Sequence, residues 1–309
     1  MPRHLARRLA GTLITLIVVG FVTFVALDAT PGDAASALIG ESASQAQLQV
    51  LRAQMGLDQP LVARYATFLT NLVSRGNLGQ SLVNSRAVSG LLIERLPYTL
   101  ILAFTATTLA VSIGLTLGMI AATRAGSRLD TALMSGAAVS LAVPTFWSAL
   151  VLLLIFSVNL RWLPVVGAES PRHFILPVIT LALPTSAIIA RMIRASLLDV
   201  FGADYVRTAH AKGVAPRPVL TRHILRNSLI PVVTMLGLHL GHLLGGAFIV
   251  ETIFGLPGLG RLIVQAIFDR DEPVVLGATL LIAAMYLAIN LLVDVAHGWL
   301  DPQVAHEAV

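Results

Sequence analysis

The sequence predicts an all-α polytopic membrane protein with about six transmembrane helices. The chain has 309 residues, of which 56% are hydrophobic and 12% are charged, which is about half the charged fraction of an average soluble domain. Its mean hydropathy is +0.83, and uncharged stretches long enough to cross a bilayer recur along it. Because lipid offers no hydrogen-bonding partners, each span must satisfy its own backbone groups, as a helix does.

The predicted spans are six apolar stretches. They are residues 9–27, 97–122, 132–158, 174–190, 229–250 and 274–293. The first could be a cleaved signal peptide, since Arg3, Arg7 and Arg8 precede it, but its length and the lack of a small-residue cleavage site favour a retained span. Three prolines are expected to kink spans three and four: Pro144, Pro177 and Pro184.

The distribution of basic residues sets the expected orientation. If the N-terminus is placed in the cytoplasm, the short arginine-rich segments lie inside, and so does the single lysine. Most acidic residues then lie outside. This is the positive-inside pattern. It predicts a multi-pass protein of the cell (plasma or inner) membrane with both termini in the cytoplasm.

The stretch from 28 to 96 is the long predicted segment outside the membrane. It carries two apolar stripes at helical spacing, one ending before Gly56 and one following Pro60. The stripes are Leu48, Leu51 and Met55, then Leu61, Tyr65, Phe68 and Leu72. Two short amphipathic helices on the outer membrane face are expected, because the segment is too short for a hydrophobic core of its own.

Composition and motifs exclude several classes of function. The chain has no cysteine, which excludes disulfides, iron–sulfur clusters and thiolate metal sites. Its single lysine, Lys212, is followed by Gly213 and Val214, which does not fit the G-x-x-x-x-G-K-[ST] loop that binds ATP. No nucleophile–base or zinc signature is present, so no catalytic and no metal-ligating residues are predicted. If ATP drives this protein, another chain hydrolyses it.

The most informative segment is residues 204–231, DYVRTAHAKGVAPRPVLTRHILRNSLIP. Asp204 can cap a short helix that Gly213 ends in the left-handed conformation, and Pro216 and Pro218 suit the start of a second helix. A basic loop could simply lie on anionic lipid. The order helix, glycine, helix is more than lipid contact requires, which favours a docking surface for another protein.

At these residues the chain resembles the EAA loop of ABC importer permeases, in the form found in the dipeptide/oligopeptide/nickel family. The matching residues of the loop are Arg207-Thr208-Ala209, Ala211-Lys212-Gly213, Arg222-His223, Leu225-Arg226-Asn227 and Leu229-Ile230-Pro231. Further matches along the chain are Thr30-Pro31-Gly32-Asp33, Gly56-Leu57-Asp58-Gln59-Pro60, Arg95-Leu96-Pro97, Thr99-Leu100, Trp162-Leu163-Pro164, His173 to Pro177, Val250-Glu251-Thr252-Ile253-Phe254, Pro257-Gly258-Leu259-Gly260 and Asp301-Pro302. His210 and Asn77 depart from the family pattern, which usually has arginine and aspartate there.

The resemblance implies the architecture of a type I ABC importer permease, with a single transmembrane permease domain over residues 1–309. This domain would include an extracytoplasmic segment at 28–96 and a cytoplasmic coupling (EAA-type) loop at 196–228. The long outer segment resembles that of the first (B-type) of two paired permeases. The implied partners are a second homologous permease, one or two cytoplasmic ABC ATPases that hold ATP and Mg, an extracytoplasmic substrate-binding protein and membrane lipid. This chain would hold no cofactor and bind no nucleic acid.

Candidate residues follow from the loop and from a glycine repeat. The resemblance assigns ATPase docking to Asp204, Tyr205, Val206, Arg207, Thr208, Ala209, His210, Ala211, Lys212 and Gly213. Gly237, Gly241 and Gly245 recur every four residues on span five and predict close helix packing, within the chain or against the second permease. Gly114 and Gly118 on span two form a weaker version of this pattern.

Polar residues in or beside the later spans have alternative interpretations. Glu251 and Arg261 flank the outer segment after span five and are candidates for contact with substrate or with the binding protein. Asp294 can be a structural ion-pair partner or a functional carboxylate. His239 and His242 can pair helices or belong to a path for nickel.

The predicted activity is ATP-driven import, with this chain as a non-catalytic subunit that forms half of the translocation pathway. Di- or oligopeptides are the expected substrate, since most of the resembled family handles peptides. Nickel, opines, glutathione and glycosides are alternatives. An ion-driven secondary transporter is the competing class, but no inverted repeat of broken, charged helices supports it.

Overall fold

The computed structural model describes residues 2–30, 35, 45–54, 56–201, 241, 243 and 247–300, and their main elements are helices. These are α1 (Pro2–Asp28), α2 (Gln45–Gln54), α3 (Leu61–Arg75), α4 (Val88–Thr123), α5 (Arg128–Ala142), α6 (Thr145–Leu152), the π-helix π1 (Leu153–Asn159), α7 (Arg172–Phe201), α8 (Phe248–Ile253), α9 (Leu259–Phe268) and α10 (Glu272–Leu300). An isolated antiparallel bridge joins Gln80 to Ala87. The predicted all-α class is confirmed.

Within the described residues, four helices are long and apolar enough to cross a membrane. Their qualifying parts are Ala10–Asp28, Val88–Thr123, Arg172–Phe201 and Glu272–Val293. They coincide with predicted spans one, two, four and six. Predicted span five, residues 229–250, lies outside the described residues except for 241, 243 and 247–250.

Predicted span three is not one continuous helix, which corrects the sequence-based prediction. Arg128–Ala142 and Thr145–Asn159 meet at an angle of 101°. Pro144 has no N–H to donate to the preceding turn, and its ring disfavours helical geometry at Val143, which is extended (φ −82°, ψ 123°). The expected kink is therefore a break, and the pair counts as a fifth span only as a broken one.

The helices that contain spans two and four extend beyond the predicted spans. α4 has 36 residues and starts at Val88, so residues 88–96, which were expected in the outer segment, belong to the same helix as the span. α7 runs on to Phe201, so residues 196–201 of the predicted coupling loop are its final turns. The internal prolines of α4 and α7 do not end their helices, as is common in membrane spans.

The chain divides into two compact units. The N-terminal unit comprises Met1–Thr99 and Pro257–Leu287, and the core unit comprises Leu100–Leu256 and Ala288–Val309. The two amphipathic helices predicted for the outer segment are present in the N-terminal unit as α2 and α3.

In the N-terminal unit, Tyr65 fixes α3 against α1. The Tyr65 hydroxyl donates a hydrogen bond to the Ile17 carbonyl oxygen at 2.7 Å, and its ring meets that of Phe21 at a centroid distance of 5.4 Å. Gly20 permits this approach, because a Cβ there would lie 2.7 Å from Tyr65 Oη. Burial raises the pKa of the Tyr65 phenol, which further favours the neutral hydroxyl that donates this bond.

Next to Tyr65, the Arg64 guanidinium joins three helices of the same unit. Its Nη1 lies 2.8 Å from Asp28 Oδ1 at the end of α1, and its Nη2 lies 3.1 Å from Glu272 Oε2 at the start of α10. The guanidinium also lies over the Phe24 ring, 5.1 Å from its centroid. These contacts hold the ends of α1, α3 and α10 together.

In the core unit, α7 contributes residues to two apolar clusters. One contains the buried residues Leu102, Ala106, Ala149, Leu176, Leu181, Leu243, Ala247, Val250, Phe254 and Leu256. The other contains Ala110, Ala122, Ala182, Ile189, Ile193 and Leu197. The buried side of α7 combines small residues such as Ala182 and Ala190 with branched ones such as Ile189 and Ile193. It packs against α4, α5 and α6.

Candidate functional site

The predicted docking segment, residues 204–213, lies outside the described residues. Four residues of predicted span five and the side chain of one residue of span six also lie outside the described part of the chain. They are Gly237, His239, His242 and Gly245, and the side chain of Asp294. Gly241 is described and buried. The structure does describe the helix that leads into the docking segment, since α7 is described up to Phe201, three residues before Asp204.

α7 packs closely against α4 through two glycines. A Cβ at Gly114 would lie 2.6 Å from Ile189 Cβ and 2.9 Å from the Ser186 carbonyl oxygen. A Cβ at Gly118 would lie 2.7 Å from the Ala190 carbonyl oxygen. Backbone atoms cannot rotate away as a side chain can, so only glycine fits at these positions. The weaker of the two predicted glycine patterns thus packs within the chain.

α7 is also joined to the start of α5 by an ion pair. Arg194 Nε lies 2.6 Å from Asp130 Oδ1, and Arg194 Nη2 lies 2.7 Å from Asp130 Oδ2. This is the bidentate arrangement in which a planar guanidinium matches a carboxylate. Asp130 is 3% exposed, so the contact is removed from solvent on the carboxylate side.

The local sequence places Asp130 at this position. Gly126 adopts a left-handed conformation (φ 77°) in the turn after α4, and the Ser127 hydroxyl caps α5 by accepting a hydrogen bond from the Asp130 N–H. Asp130 Oδ2 in turn accepts a hydrogen bond from the Gly126 N–H at 2.9 Å. An acidic residue in the first turn of a helix also interacts favourably with the helix dipole. The α4–α5 turn, residues 124–127, is therefore closed by the same carboxylate that binds α7.

Neither Asp130 nor Arg194 was predicted from the sequence to be a functional residue. The pattern Ser127-x-x-Asp130 is a helix-start signal, and it could have located the cap. The partner is 64 residues away along the chain, and no local pattern identifies a contact over that separation.

Glu251, a predicted contact for substrate or binding protein, is 1% exposed. It lies in α8, which is followed by a turn at Gly255 (φ 65°). The loop after π1 contacts this turn, since the Gly167 N–H donates to the Phe254 carbonyl oxygen at 3.1 Å. Two family-like motifs, residues 162–164 and 250–254, thus belong to neighbouring segments. A contact by Glu251 would require this region to open, and its role stays a prediction.

Arg261, the other predicted contact, lies on α9 in the N-terminal unit and is exposed. The start of α9 is fixed by Thr99, whose hydroxyl accepts a hydrogen bond from the Leu259 N–H at 2.8 Å. Thr99 and Leu259 are fully buried, and each belongs to a segment that resembles the importer family. This contact orders the helix that carries Arg261, whose role also stays a prediction.

Among the described residues, no group of three or more His, Cys, Asp or Glu side chains is placed to hold a metal ion. The polar contacts described above are instead helix caps, ion pairs and turn closures. Their chemistry serves to position helices.

The chain matches two protein families over most of its length. Residues 114–306 match the family described as binding-protein-dependent transport system inner membrane component. Residues 1–103 match the corresponding N-terminal family of membrane components. The two matches together cover residues 1–306 except for residues 104–113.

Several curated proteins are similar to the full chain. The glutathione transport system permease protein GsiC of Escherichia coli (strain K12) is 40% identical over 307 residues, which cover 99% of this chain and 100% of that protein. The probable peptide ABC transporter permease protein y4tP of Sinorhizobium fredii (strain NBRC 101917 / NGR234) is 37% identical over 314 residues, again 99% of this chain and 100% of that protein.

Solved structures with a similar fold belong to ABC transporters. A chain of the inward-facing MetNI methionine ABC transporter aligns with a TM-score of 0.56 at 18% identity, covering 69% of this chain and 97% of that one. A chain of an amino acid ABC transporter crystallised with histidines aligns with a TM-score of 0.52 at 24% identity, covering 68% of this chain and 94% of that one. Both alignments confirm the predicted type I importer fold.

Proposed function

Since the chain belongs to the family of binding-protein-dependent transport system inner membrane components, we propose that it docks a separate ATPase through residues 204–213. The chain is a multi-pass inner membrane protein and a permease subunit of an ABC importer. Permeases of this class work with an ATPase and a binding protein. The similarity to two permeases over 99% of this chain carries the proposal.

The proposed complex contains a second homologous permease, one or two kinds of ATPase that hold ATP and Mg, and an extracytoplasmic binding protein. This chain lines half of the pathway, with both termini in the cytoplasm. That orientation places the end of α7 and the α4–α5 turn on the cytoplasmic side. The absence of an ATP-binding loop in the sequence supports an energy source on another chain.

The proposed substrates are di- or oligopeptides. The relatives named above are permeases for glutathione, which is itself a tripeptide, and for peptides. Selectivity in such a complex rests mainly on the binding protein. The test is to purify the cognate binding protein and identify the compound that it retains by mass spectrometry. Retained peptide supports the proposal, and retained glutathione supports it in the narrower form of a tripeptide. Retained nickel, opine or glycoside contradicts it.

The docking segment is tested with Gly213→Val in the complete complex reconstituted in vesicles. Gly213 is proposed to end the docking helix in a left-handed conformation, which a β-branched residue does not tolerate. We expect ATP-driven uptake to be lost while the protein still inserts. Gly11→Val serves as the control, because a Cβ at Gly11 has no neighbour within 4 Å.

Normal uptake by Gly213→Val would show that the docking segment is assigned wrongly. Uptake by wild-type vesicles that need no ATP would instead favour an ion-driven transporter and contradict the proposed function as a whole.

A further inference from the structure

The Asp130–Arg194 ion pair connects three parts of the core unit. The carboxylate of Asp130 binds the α7 guanidinium with both oxygens, and it also accepts the Gly126 N–H from the α4–α5 turn. The backbone of the same residue lies in the first turn of α5. A displacement of α7 at this level therefore displaces the turn and the start of α5 with it.

The pair lies close to the proposed docking segment along the chain. Arg194 precedes Phe201 by about two helical turns, and residue 204 follows three positions later. On the neighbouring part of α7, Ile193 and the Ala190 carbonyl oxygen pack against Gly118 of α4. The stretch of α7 from 190 to 194 thus contacts α4 through close packing and α5 through the ion pair.

An ion pair at this position is a means of fixing orientation rather than a source of stability. A buried pair is weak evidence for stability, because desolvation offsets much of the attraction between the charges. A guanidinium fork fixes both the distance and the angle between two elements. The packing of α4 on α7 already holds these helices together, so the fork adds a defined angle between α7 and α5.

We propose that Asp130 and Arg194 are positioning residues that transmit movement from the ATPase-docking segment through α7 to α4 and α5. This inference rests on the proposed function, since it assigns a role within ATP-driven import. Neither residue is assigned a contact with substrate or ATP. Its effect is to make the cytoplasmic ends of three helices move as one body, as rigid-body gating requires.

The test measures substrate imported per ATP hydrolysed in the complete complex reconstituted in vesicles, normalised to the amount of assembled complex. The variants are Asp130→Asn, Arg194→Gln, Arg194→Lys and the double variant Asp130→Asn/Arg194→Gln. The control is Arg191→Gln, since Arg191 lies on the same helix about one turn away and is exposed.

We expect import per ATP to fall roughly fivefold or more in Asp130→Asn and in Arg194→Gln, the scale of a typical coupling between sites. Because the residues act through one contact, the double variant should lose no more than either single variant. Arg194→Lys keeps the charge without the fork and should be intermediate. Arg191→Gln should match the wild type.

An unchanged ratio in Arg194→Gln, or losses that multiply in the double variant, would overturn the positioning role. If the ion pair only stabilised the fold, its loss would lower the yield of complex and leave import per ATP unchanged. That result would also overturn the positioning role. Failure of the wild-type complex to import with ATP is a separate result, and it contradicts the proposed function itself.

Discussion

Each of the two units contains an arginine that pairs with carboxylate, but the two arrangements differ in geometry. In the N-terminal unit, Arg64 makes one contact each with Asp28 and Glu272, whose side chains are 44% and 21% exposed. In the core unit, Arg194 makes both contacts with Asp130, whose side chain is 5% exposed. Arg64 therefore holds three helix ends near one another, whereas Arg194 fixes an angle between two helices.

The difference follows from what each carboxylate is bonded to. Asp28 and Glu272 share one guanidinium, so either can be lost while the other still holds it. Asp130 binds both the guanidinium and the Gly126 N–H, so its loss releases the turn and α7 together. Arg64 thus serves cohesion in the N-terminal unit, whereas Arg194 serves orientation in the core unit.

The largest effect on stability is expected in the core unit from Gly118→Ala. The added Cβ would lie 2.7 Å from the Ala190 carbonyl oxygen, which forces α4 away from α7. Overpacking of this kind costs about 2–3 kcal/mol. The measurement is the thermal unfolding temperature of the purified protein in detergent, followed by size-exclusion chromatography after heating.

Gly136→Ala is the matched control for Gly118→Ala. A Cβ at Gly136 meets no atom within 4 Å, and alanine favours helix over glycine by about 1 kcal/mol. Its unfolding temperature should stay the same or rise. Equal losses in the two variants would show that α4 is not packed on α7 as described.

A smaller effect is expected in the N-terminal unit from Arg64→Gln. The change leaves Asp28 and Glu272 without their shared partner, and bonds to charged groups contribute about 1.5–3 kcal/mol each when buried. Because two contacts are lost but both carboxylates are partly exposed, we expect a loss of about 1 kcal/mol in thermal unfolding.

The same variant sharpens the contrast with Arg194. Import per ATP should remain at the wild-type value in Arg64→Gln. This variant weakens the contact between the ends of α1, α3 and α10 but does not change the angle between α7 and α5. If Arg64→Gln lowered this ratio as much as Arg194→Gln, the distinction between the two units would be wrong.

The smallest effect is expected from Tyr65→Phe, which removes a single hydrogen bond to the Ile17 carbonyl oxygen. The ring contacts with Phe21 and Phe24 are kept, so the loss should be about 0.5 kcal/mol, the low end for a single neutral hydrogen bond. Tyr65→Ala, measured in parallel by thermal unfolding, removes the ring as well and should be clearly worse. Equal stability of the two variants would show that the ring does not pack as described.

The sequence located most helices because their signals are local. Apolar stretches identified spans one, two, four and six, and the stripes around Leu51 and Tyr65 identified α2 and α3. At Pro144 only a kink was predicted, whereas the structure has a break. A proline in the sequence shows that a backbone hydrogen bond is missing, but it does not determine the angle between the two helices. The start of α4 at Val88 was missed because residues 88–96 include the charged residues Glu94 and Arg95. Hydropathy alone therefore assigns this stretch to a loop outside the membrane.

By itself the sequence determined the class of protein, the family and the segment proposed to dock the ATPase. These follow from composition, from the lack of an ATP-binding loop and from motifs of adjacent residues. Only the tertiary structure decided that Gly114 and Gly118 face α7, that Glu251 is buried, and that Asp130 meets Arg194. Each of these depends on residues far apart in the chain, whose contact is set by how the helices pack rather than by any local pattern.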